Sequence, residues 1–387
     1  MNAVRFGIIG IGNMGSVHAK SLMEGKIDGA VLSAVCDIRE ERRRWAKEEL
    51  HVSEDAVFAD ADAFFENATI DAVLIATPHY FHPPYAERAF AKGLHVLTEK
   101  PAGVYTKAVR QMNEAAKQSG KVFGIMYNQR TNPVYAKVRE LIRSGQLGEL
   151  KRVIWVITDW YRSQSYYDSS SWRATWEGEG GGVLLNQCPH QLDLWQWMCG
   201  MPCEIRSFMQ YGKGRNIEVE NDVTTYARYP NGAVGIFTSS THDTPGTNRL
   251  EITGDLGKLV VERSAITFYK NKMGEAEFNR TYTQGFGEPG YEEIAIPITE
   301  KETGHNGILQ NFTNAILHGE PLLAPGEEGI LGLSISNAMH LSDWTGKPVD
   351  PMAIDEDLFY QLLQEKIQHS TFHKETKAQT LNTENTY

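Results

Sequence analysis

The tripeptide Glu99-Lys100-Pro101 places a carboxylate and an amine directly after Leu94 to Thr98, an apolar run that indicates a short buried β-strand. In an open parallel α/β sheet, ligands bind outside the carboxyl ends of the strands. Lys100 can therefore serve as an acid/base or electrostatic group beside a ligand, provided that the chain also binds a dinucleotide. Most lysines are solvated surface charges, so this interpretation depends on position more than on residue type.

A second candidate group follows the glycine run Gly180-Gly181-Gly182. If Val183 to Gly200 forms a helix, kinked at Pro189, four residues share one face at positions i, i+4, i+7 and i+11: Asn186, His190, Asp193 and Trp197. A histidine with polar neighbours one helical turn away can act as an oriented general base near neutral pH. The alternative is a buried, hydrogen-bonded histidine on a packed helix.

A dinucleotide site is predicted by the first forty residues. Val4 to Ile9 has the pattern of an apolar strand, a helical stretch runs to about Met23, and between them stands the motif Gly10-x-Gly12-x-x-Gly15, with Asn13 and Met14 inside it. Gly10 permits the tight turn, Gly12 lets the backbone approach a pyrophosphate, and Gly15 lets the helix pack closely on the strand. An acidic residue, Asp37, follows the next strand, as a dinucleotide-binding unit requires.

Asp37 favours NAD over NADP, because a carboxylate there accepts a hydrogen bond from a ribose 2′-hydroxyl and repels a 2′-phosphate. Arg39 and the run Arg42-Arg43-Arg44 lie just downstream and offer a rival phosphate site. Such a run is more often a solvated helix face with acidic neighbours. We therefore predict NAD as the cofactor and leave NADP open.

The elements that must position these residues fall into two groups. Strands and helices alternate up to about Met126, which predicts a doubly wound parallel sheet. Beyond it, a helix is followed by consecutive strands on short turns, which predicts a mostly antiparallel sheet. The expected organisation is a Rossmann domain over residues 1–126, a second α+β domain over 127–373 and a frayed polar tail over 374–387.

Composition excludes several partners. With 387 residues and a formal net charge of −11, the chain is unsuited to nucleic acid or an anionic membrane surface. It has no apolar run long enough to cross a bilayer and no leader-like start. Four cysteines in a chain this long do not make a disulfide framework. The close pairs Cys188/His190 and Cys199/Cys203 raise a metal site as an alternative, whereas reduced thiols are the ordinary interpretation. We expect a cytoplasmic protein with reduced thiols and no metal.

Taken in order along the chain, the motifs resemble those of the Gfo/Idh/MocA family, which includes inositol dehydrogenases, glucose–fructose oxidoreductase and other sugar oxidoreductases. The motifs are Gly10-x-Gly12-x-x-Gly15, Glu99-Lys100-Pro101, Trp172-Arg173 and Gly180-Gly181-Gly182…His190-x-x-Asp193. The resemblance covers essentially the whole chain. It implies a C-terminal domain with a large open sheet that is often used in subunit assembly, and hence a homodimer or homotetramer.

The resemblance also implies that Lys100 and His190 flank a substrate hydroxyl beside the nicotinamide, and that the Lys100–Pro101 bond is commonly cis. Substrate contacts are expected from Asn186, Asp193, Trp160, Tyr161 and Arg173, although the aromatic side chains also suit a core or an interface. Cofactor contacts are expected from the glycine motif and from Asp37, Arg39, Ala76, Thr77, Pro78, His82, Glu99, Lys100, Asn128, Trp172 and Arg173.

One residue departs from the family pattern. Members typically carry Asp where this chain has Asn186, and an amide cannot take a proton. Proton removal then falls on His190 or Lys100. The expected reaction is oxidation of a secondary ring hydroxyl of a sugar, glycoside, anhydrosugar or cyclitol, or reduction of the ketone. Two alternatives stay open: a glycoside hydrolase that oxidises its substrate transiently with NAD, and a non-catalytic dinucleotide-binding sensor.

Overall fold

A computed structural model describes residues 3–374 and 376. Its first half alternates strands and helices as predicted: β1 (Val4–Ile9), α1 (Asn13–Met23), β2 (Ala30–Cys36), α2 (Glu40–Glu49), β3 (Val57–Phe58), α3 (Ala61–Asn67), β4 (Ala72–Ile75), α4 (His82–Ala91), β5 (His95–Thr98), α5 (Thr106–Ser119) and β6 (Phe123–Ile125).

The six strands form one parallel sheet in the order β3-β2-β1-β4-β5-β6. β4 lies in its middle and all four of its residues are buried, because helices cover both faces of a doubly wound sheet. The predicted Rossmann architecture is confirmed. The chain order reverses between β1 and β4, so the crevice at their carboxyl ends is where a ligand is expected.

The second half contains α6 (Pro133–Arg143), β7 (Leu150–Ile157), α7 (Gln164–Asp168), α8 (Pro189–Cys199), β8 (Glu204–Tyr211), β9 (Glu220–Arg228), β10 (Val234–Ser240), β11 (Asn248–Gly254), β12 (Gly257–Glu262), β13 (Ala265–Asn271), α9 (Glu275–Thr281), β14 (Tyr291–Ile296), α10 (Gly304–His318), α11 (Gly329–Thr345) and α12 (Glu356–Gln368).

Its eight strands form an open sheet in the order β14-β13-β12-β11-β7-β10-β9-β8. Neighbouring strands are antiparallel except β7 and β10, which are parallel. The mostly antiparallel sheet is confirmed, and β13 and β14 lie at one end of it. The core of this half includes Trp195 of α8, which stacks on Phe237 of β10 with ring centroids 5.4 Å apart.

The chain returns to the parallel sheet near its end. Phe312 of α10 packs against Phe6 of β1 with ring centroids 6.0 Å apart, and Ile125 N–H donates to the carbonyl of Ala324 at 3.1 Å. Residues distant in sequence thus complete the core of the first half. Lys374, the first residue of the predicted tail, is partly buried against the loop at Ser170 and Arg173, so it is not frayed. Most of the tail lies outside the described residues.

Candidate active site

The glycine motif forms a cradle at the switch point. Gly10 has a φ of +87°, and a Cβ there would lie 2.6 Å from the carbonyl oxygen of Ala76. A Cβ on Gly15 would lie 1.9 Å from the carbonyl oxygen of Gly10, so only glycine lets α1 pack this close. At Gly12 the nearest atom to such a Cβ is an Arg39 nitrogen 3.8 Å away. The space in front of Gly12 is therefore open, as a pyrophosphate requires.

Asp37 is held at the edge of this cradle and is only 7% exposed. Its carboxylate accepts from Ile11 N–H at 3.0 Å and from Arg39 N–H at 2.9 Å. The Arg39 guanidinium lies 3.5 Å from the same carboxylate and is half-exposed. Ile38 between them is 84% exposed and offers an apolar surface that the sequence analysis did not single out.

The arginine run beside Asp37 is only partly a solvated helix face. Arg42 Nε donates to the carbonyl of Ile11 at 2.8 Å, and its Nη2 contacts the Ser16 hydroxyl. Arg43 donates to the carbonyl of Asp37 at 2.8 Å. Arg42 and Arg43 are thus hydrogen-bonded to the main chain and to Ser16 around the glycine motif. Of the arginines named here, Arg39 is the one beside Gly12, where the cofactor is expected.

Two buried polar atoms fit a further part of a dinucleotide. The Thr77 hydroxyl, next to Ala76 and Pro78 after β4, and the Asn128 amide oxygen, after β6, are both buried and make no hydrogen bond within residues 3–374 and 376. Such atoms are normally satisfied by a polar ligand or by water. The cradle, Asp37 and these two atoms together fit NAD.

His82 takes a different position from the one expected of a cofactor contact. It is fully buried, and its two ring nitrogens lie 2.7 Å from the carbonyl oxygens of Pro101 and Thr77. The imidazole therefore ties the loop after β4 to the loop after β5. Its role in the structure is to support residues that border the cleft.

Lys100 stands after β5, and its peptide bond to Pro101 is cis. Its Nζ donates to the main-chain carbonyl of Asn186 at 2.9 Å. Burial lowers the pKa of Lys100, while the neighbouring Glu99 opposes that shift. The amine is thus held at the junction of the two halves with a pKa closer to neutrality than that of a surface lysine.

Glu99 is engaged beneath the lysine. Its Oε1 lies 2.7 Å from His18 Nε2 on α1, and its Oε2 accepts from Lys100 N–H at 3.1 Å. Burial tends to raise the pKa of Glu99, but the hydrogen bond from His18 and the charges of His18, His305 and Lys100 together outweigh it and lower the pKa to about 2. Glu99 is therefore an ionised support for the Lys100 backbone, and His18 is a partner that the sequence analysis missed.

His190 is the second residue of α8 and is 1% exposed, with its ring edge-to-face on Tyr127 at a centroid distance of 6.1 Å. Burial lowers the pKa of His190 well below its usual value, and the charges of Lys100 and His305 act in the same direction. The imidazole is therefore neutral at pH 7. A neutral imidazole can accept a proton, which the role of a general base requires.

Asn186 lies in a turn before α8, not on the helix. The predicted helix start at Val183 was wrong: the segment before Pro189 forms turns that end with Cys188 N–H donating to the Val183 carbonyl at 2.8 Å, an i→i−5 bond that breaks the α-helical pattern. The helix begins at Pro189, where the missing N–H of proline has no cost. Asn186 and His190 consequently approach the cleft from different elements.

A polar network surrounds Asn186. Tyr166 donates to Asn186 Oδ1 at 3.3 Å and accepts from Arg173 at 2.9 Å and from Gln187 at 3.2 Å. On the other side, Asn186 Nδ2 donates to Glu179. Tyr166 and Glu179 were not among the predicted site residues. The position of Glu179, directly before the glycine run, was the available indication.

The structure does not bring Asp193 to the cleft. Its two oxygens accept from Arg130 at 2.7 and 2.8 Å and from Gln196 at 3.0 Å, and both members of the ion pair have side chains 1% exposed. Arg130 also donates to Glu328 at 2.5 Å. Asp193 thus joins α8 to other parts of the chain, and the predicted substrate contact is replaced by a structural ion pair.

The aromatic residues divide between cleft and surface. Trp172 lies edge-on to His79 at a centroid distance of 5.5 Å, and the Arg173 guanidinium lies 4.7 Å from the Trp172 and Tyr166 rings. Trp160 is partly buried against the core of the second half. Tyr161 is 48% exposed beneath Arg215. Trp172 and Arg173 therefore join the Asn186 network, while Tyr161 lies on the surface.

Within residues 3–374 and 376 there is no group of three or more His, Cys, Asp or Glu side chains placed to hold a metal ion. None of the helices described has the length and apolarity needed to cross a membrane.

Comparison with known proteins defines the class. Residues 4–127 match the family described as "Oxidoreductase family, NAD-binding Rossmann fold", and residues 135–260 match the "GFO/IDH/MocA C-terminal domain". The chain is thus an NAD-binding oxidoreductase, and it belongs to the GFO/IDH/MocA family.

Individual relatives are distant but match nearly end to end. Myo-inositol 2-dehydrogenase of Thermotoga maritima is 24% identical over 87% of this chain and 95% of that protein. The scyllo-inositol 2-dehydrogenase (NAD(+)) of Bacillus subtilis is 26% identical over 89% of this chain and 96% of its own length. A solved levoglucosan dehydrogenase, in complex with NADH and levoglucosan, shares the fold with a TM-score of 0.75, at 21% identity over 91% of this chain and all of that one.

Proposed function

We propose that this protein oxidises a secondary ring hydroxyl of a sugar, glycoside, anhydrosugar or cyclitol to a ketone, or catalyses the reverse reduction, with NAD as the hydride carrier. The observation that carries the proposal is the hydrogen bond that joins Lys100, after β5, to the turn at Asn186, four residues before His190 at the start of α8. The names of the relatives, two inositol dehydrogenases and a levoglucosan dehydrogenase, support this substrate class.

The cofactor would be held by the glycine cradle, Asp37, Thr77 and Asn128, and it supplies the hydride acceptor when bound. The protein's own residues handle the proton. His190 is neutral and can accept the hydroxyl proton at a ring nitrogen. The Lys100 ammonium can donate a hydrogen bond to the substrate oxygen and stabilise the negative charge that develops there. Its lowered pKa makes proton exchange with His190 easier.

The remaining network would bind the other hydroxyl groups. Asn186 and Tyr166 offer acceptors and donors, and Arg173 offers further donors. Trp172 presents an aromatic face of the kind that suits the C–H surface of a sugar ring. Such a site suits a neutral polyhydroxylated ring, since it combines many hydrogen-bonding groups with one apolar wall.

The test is nicotinamide reduction followed by ultraviolet absorbance, with NAD⁺ and NADP⁺ against inositols, aldoses, anhydrosugars and glycosides. We expect turnover with NAD⁺ on one of these classes. Release of an aglycone without accumulation of NADH would instead indicate the transient-oxidation hydrolase. Tight cofactor binding without turnover on any compound would indicate a sensor.

A further inference from the structure

Glu179 carries a buried carboxyl group that is hydrogen-bonded to Asn186 of the candidate site. Its side chain is 2% exposed, its Oε2 accepts from Ala174 N–H at 2.5 Å, and its Oε1 accepts from Asn186 Nδ2. The main-chain carbonyl of Glu179 lies 3.2 Å from His79 Nδ1. Burying a carboxyl group costs free energy of folding unless hydrogen bonds or charges compensate for the lost water.

We propose that Glu179 is a positioning residue of the reaction: its carboxylate fixes the Asn186 amide with Nδ2 turned inward and Oδ1 turned toward Tyr166 and the cleft. This proposal rests on the proposed oxidation. Both Glu179 oxygens accept hydrogen bonds, one from Ala174 N–H and one from Asn186 Nδ2, so the NH₂ side of the amide faces the carboxyl group. Burial raises the pKa of Glu179, while the charge of Arg173 and these two hydrogen bonds oppose that shift. The other side, the carbonyl oxygen, is then presented as an acceptor for the Tyr166 hydroxyl and for a substrate hydroxyl.

The same contact holds the turn that binds the lysine. Lys100 Nζ donates to the main-chain carbonyl of Asn186, so a displaced Asn186 also displaces the partner of Lys100. Glu179 therefore acts on both polar groups that face the substrate through a single residue. It does not itself touch the substrate.

Substitutions can reverse the donor and acceptor pattern of this pair. In Glu179→Gln, the amide oxygen is required by Ala174 N–H, so the new NH₂ group faces the NH₂ group of Asn186. Asn186 must then turn over and present a donor to Tyr166. In Asn186→Asp, two carboxylates face each other in a buried place. In the double variant E179Q/N186D, the Gln NH₂ donates to the Asp carboxylate, and an acceptor faces Tyr166 again.

The experiment measures kcat/KM with NAD⁺ and the best substrate for the wild type, both single variants, the double variant and Glu177→Gln, an exposed control on the same segment. We expect each single variant to lose about tenfold to a hundredfold, the double variant to exceed both, and the control to match the wild type. NAD⁺ binding, followed by tryptophan fluorescence, should be the same throughout, since the cofactor cradle is not altered.

If the wild type is active, two results would overturn the proposal. One is a kcat/KM of E179Q within about twofold of the wild-type value. The other is a loss of kcat/KM in the double variant as large as the product of the two single losses. If E179Q does not fold, kcat/KM of N186D is compared with that of the double variant. These two proteins differ only in the carboxylate at position 179, which faces the introduced carboxylate in N186D. An inactive wild type would overturn the proposed function, and this proposal with it.

Discussion

Lys100 Nζ donates a hydrogen bond to the main-chain carbonyl of Asn186 at 2.9 Å, although the two residues are 86 positions apart and belong to different halves of the chain. One follows a strand of the parallel sheet and the other precedes α8 of the second half. The contact joins the cofactor side of the cleft to the substrate side. The expected chemistry depends on this junction, because hydride and proton leave the same carbinol group in opposite directions.

Lys100→Ala should lower kcat by at least about two orders of magnitude, as expected for a positioned acid–base group. The loss follows from removal of the ammonium group that would stabilise the charge developing on the substrate oxygen and that the Asn186 carbonyl holds in place. Steady-state kinetics with NAD⁺ provide the measurement. Lys92→Ala, which changes an exposed lysine after α4, is the matched control and should behave as the wild type. Near-normal turnover of the Lys100 variant would remove it from the mechanism.

Asp37→Ala should erode the preference for NAD over NADP. Without the carboxylate, Arg39 loses its ion pair with Asp37, keeps the exposed pair with Glu41, and can bind a 2′-phosphate. The ratio of kcat/KM for the two cofactors should fall about tenfold or more, equivalent to about 1.4 kcal/mol. Adding Arg39→Ala to the variant should reverse the gain with NADP⁺. An unchanged ratio in Asp37→Ala would refute the assignment of Asp37 to the ribose.

Asp193→Ala should destabilise the fold by about 3–5 kcal/mol, because it leaves the buried Arg130 without its main partner. Urea unfolding measures this loss. Asp62→Ala, which breaks the exposed pair with Arg88, should cost only about 0–1 kcal/mol. At a temperature where the Asp193 variant is folded, KM for the substrate should change little. A large rise in KM with unchanged stability would restore the substrate contact that the sequence predicts.

The pH dependence of kcat/KM should report His190. The active form of His190 is the neutral imidazole, so its contribution to activity falls as pH drops through its pKa, which burial places well below the usual 6.5. We therefore expect a flat profile from pH 8 down past 6.5 and an acid limb below that value. In His190→Asn this limb should be lost together with most of the rate. An acid limb at or above 6.5 in the wild type would contradict the neutral, buried histidine.

The strands and the cradle followed from sequence because each depends on a local pattern or a specific motif, whereas the cis bond at Lys100 was expected only from the resemblance to the family. The glycine motif, for example, is readable because each of its glycines has a steric reason visible in the structure. The residues around His190 were harder to predict from sequence. The helical spacing placed Asp193 on the same face as His190. Spacing does not show which residues pack against that face, and Arg130, the partner of Asp193, lies 63 residues away in the sequence.

The turn before α8 shows the same limit. The helical spacing of polar residues extends back to Asn186, yet the chain forms turns there. Proline is favoured at the first position of a helix, and Pro189 takes that position in α8. That change turned Asn186 toward Glu179 and Tyr166. No periodic pattern links these three residues, so their network was invisible until the fold placed them together.

Hydride transfer from a ring carbon to the nicotinamide can be followed with an isotope label. The best substrate of the panel, deuterated at the carbon that bears the reacting hydroxyl, would be incubated with NAD⁺, and both products would be examined by mass spectrometry. We expect one deuterium in the reduced nicotinamide and an equal amount of ketone. Product released with its deuterium retained, and no labelled nicotinamide accumulating, would contradict net oxidation as the function of this protein.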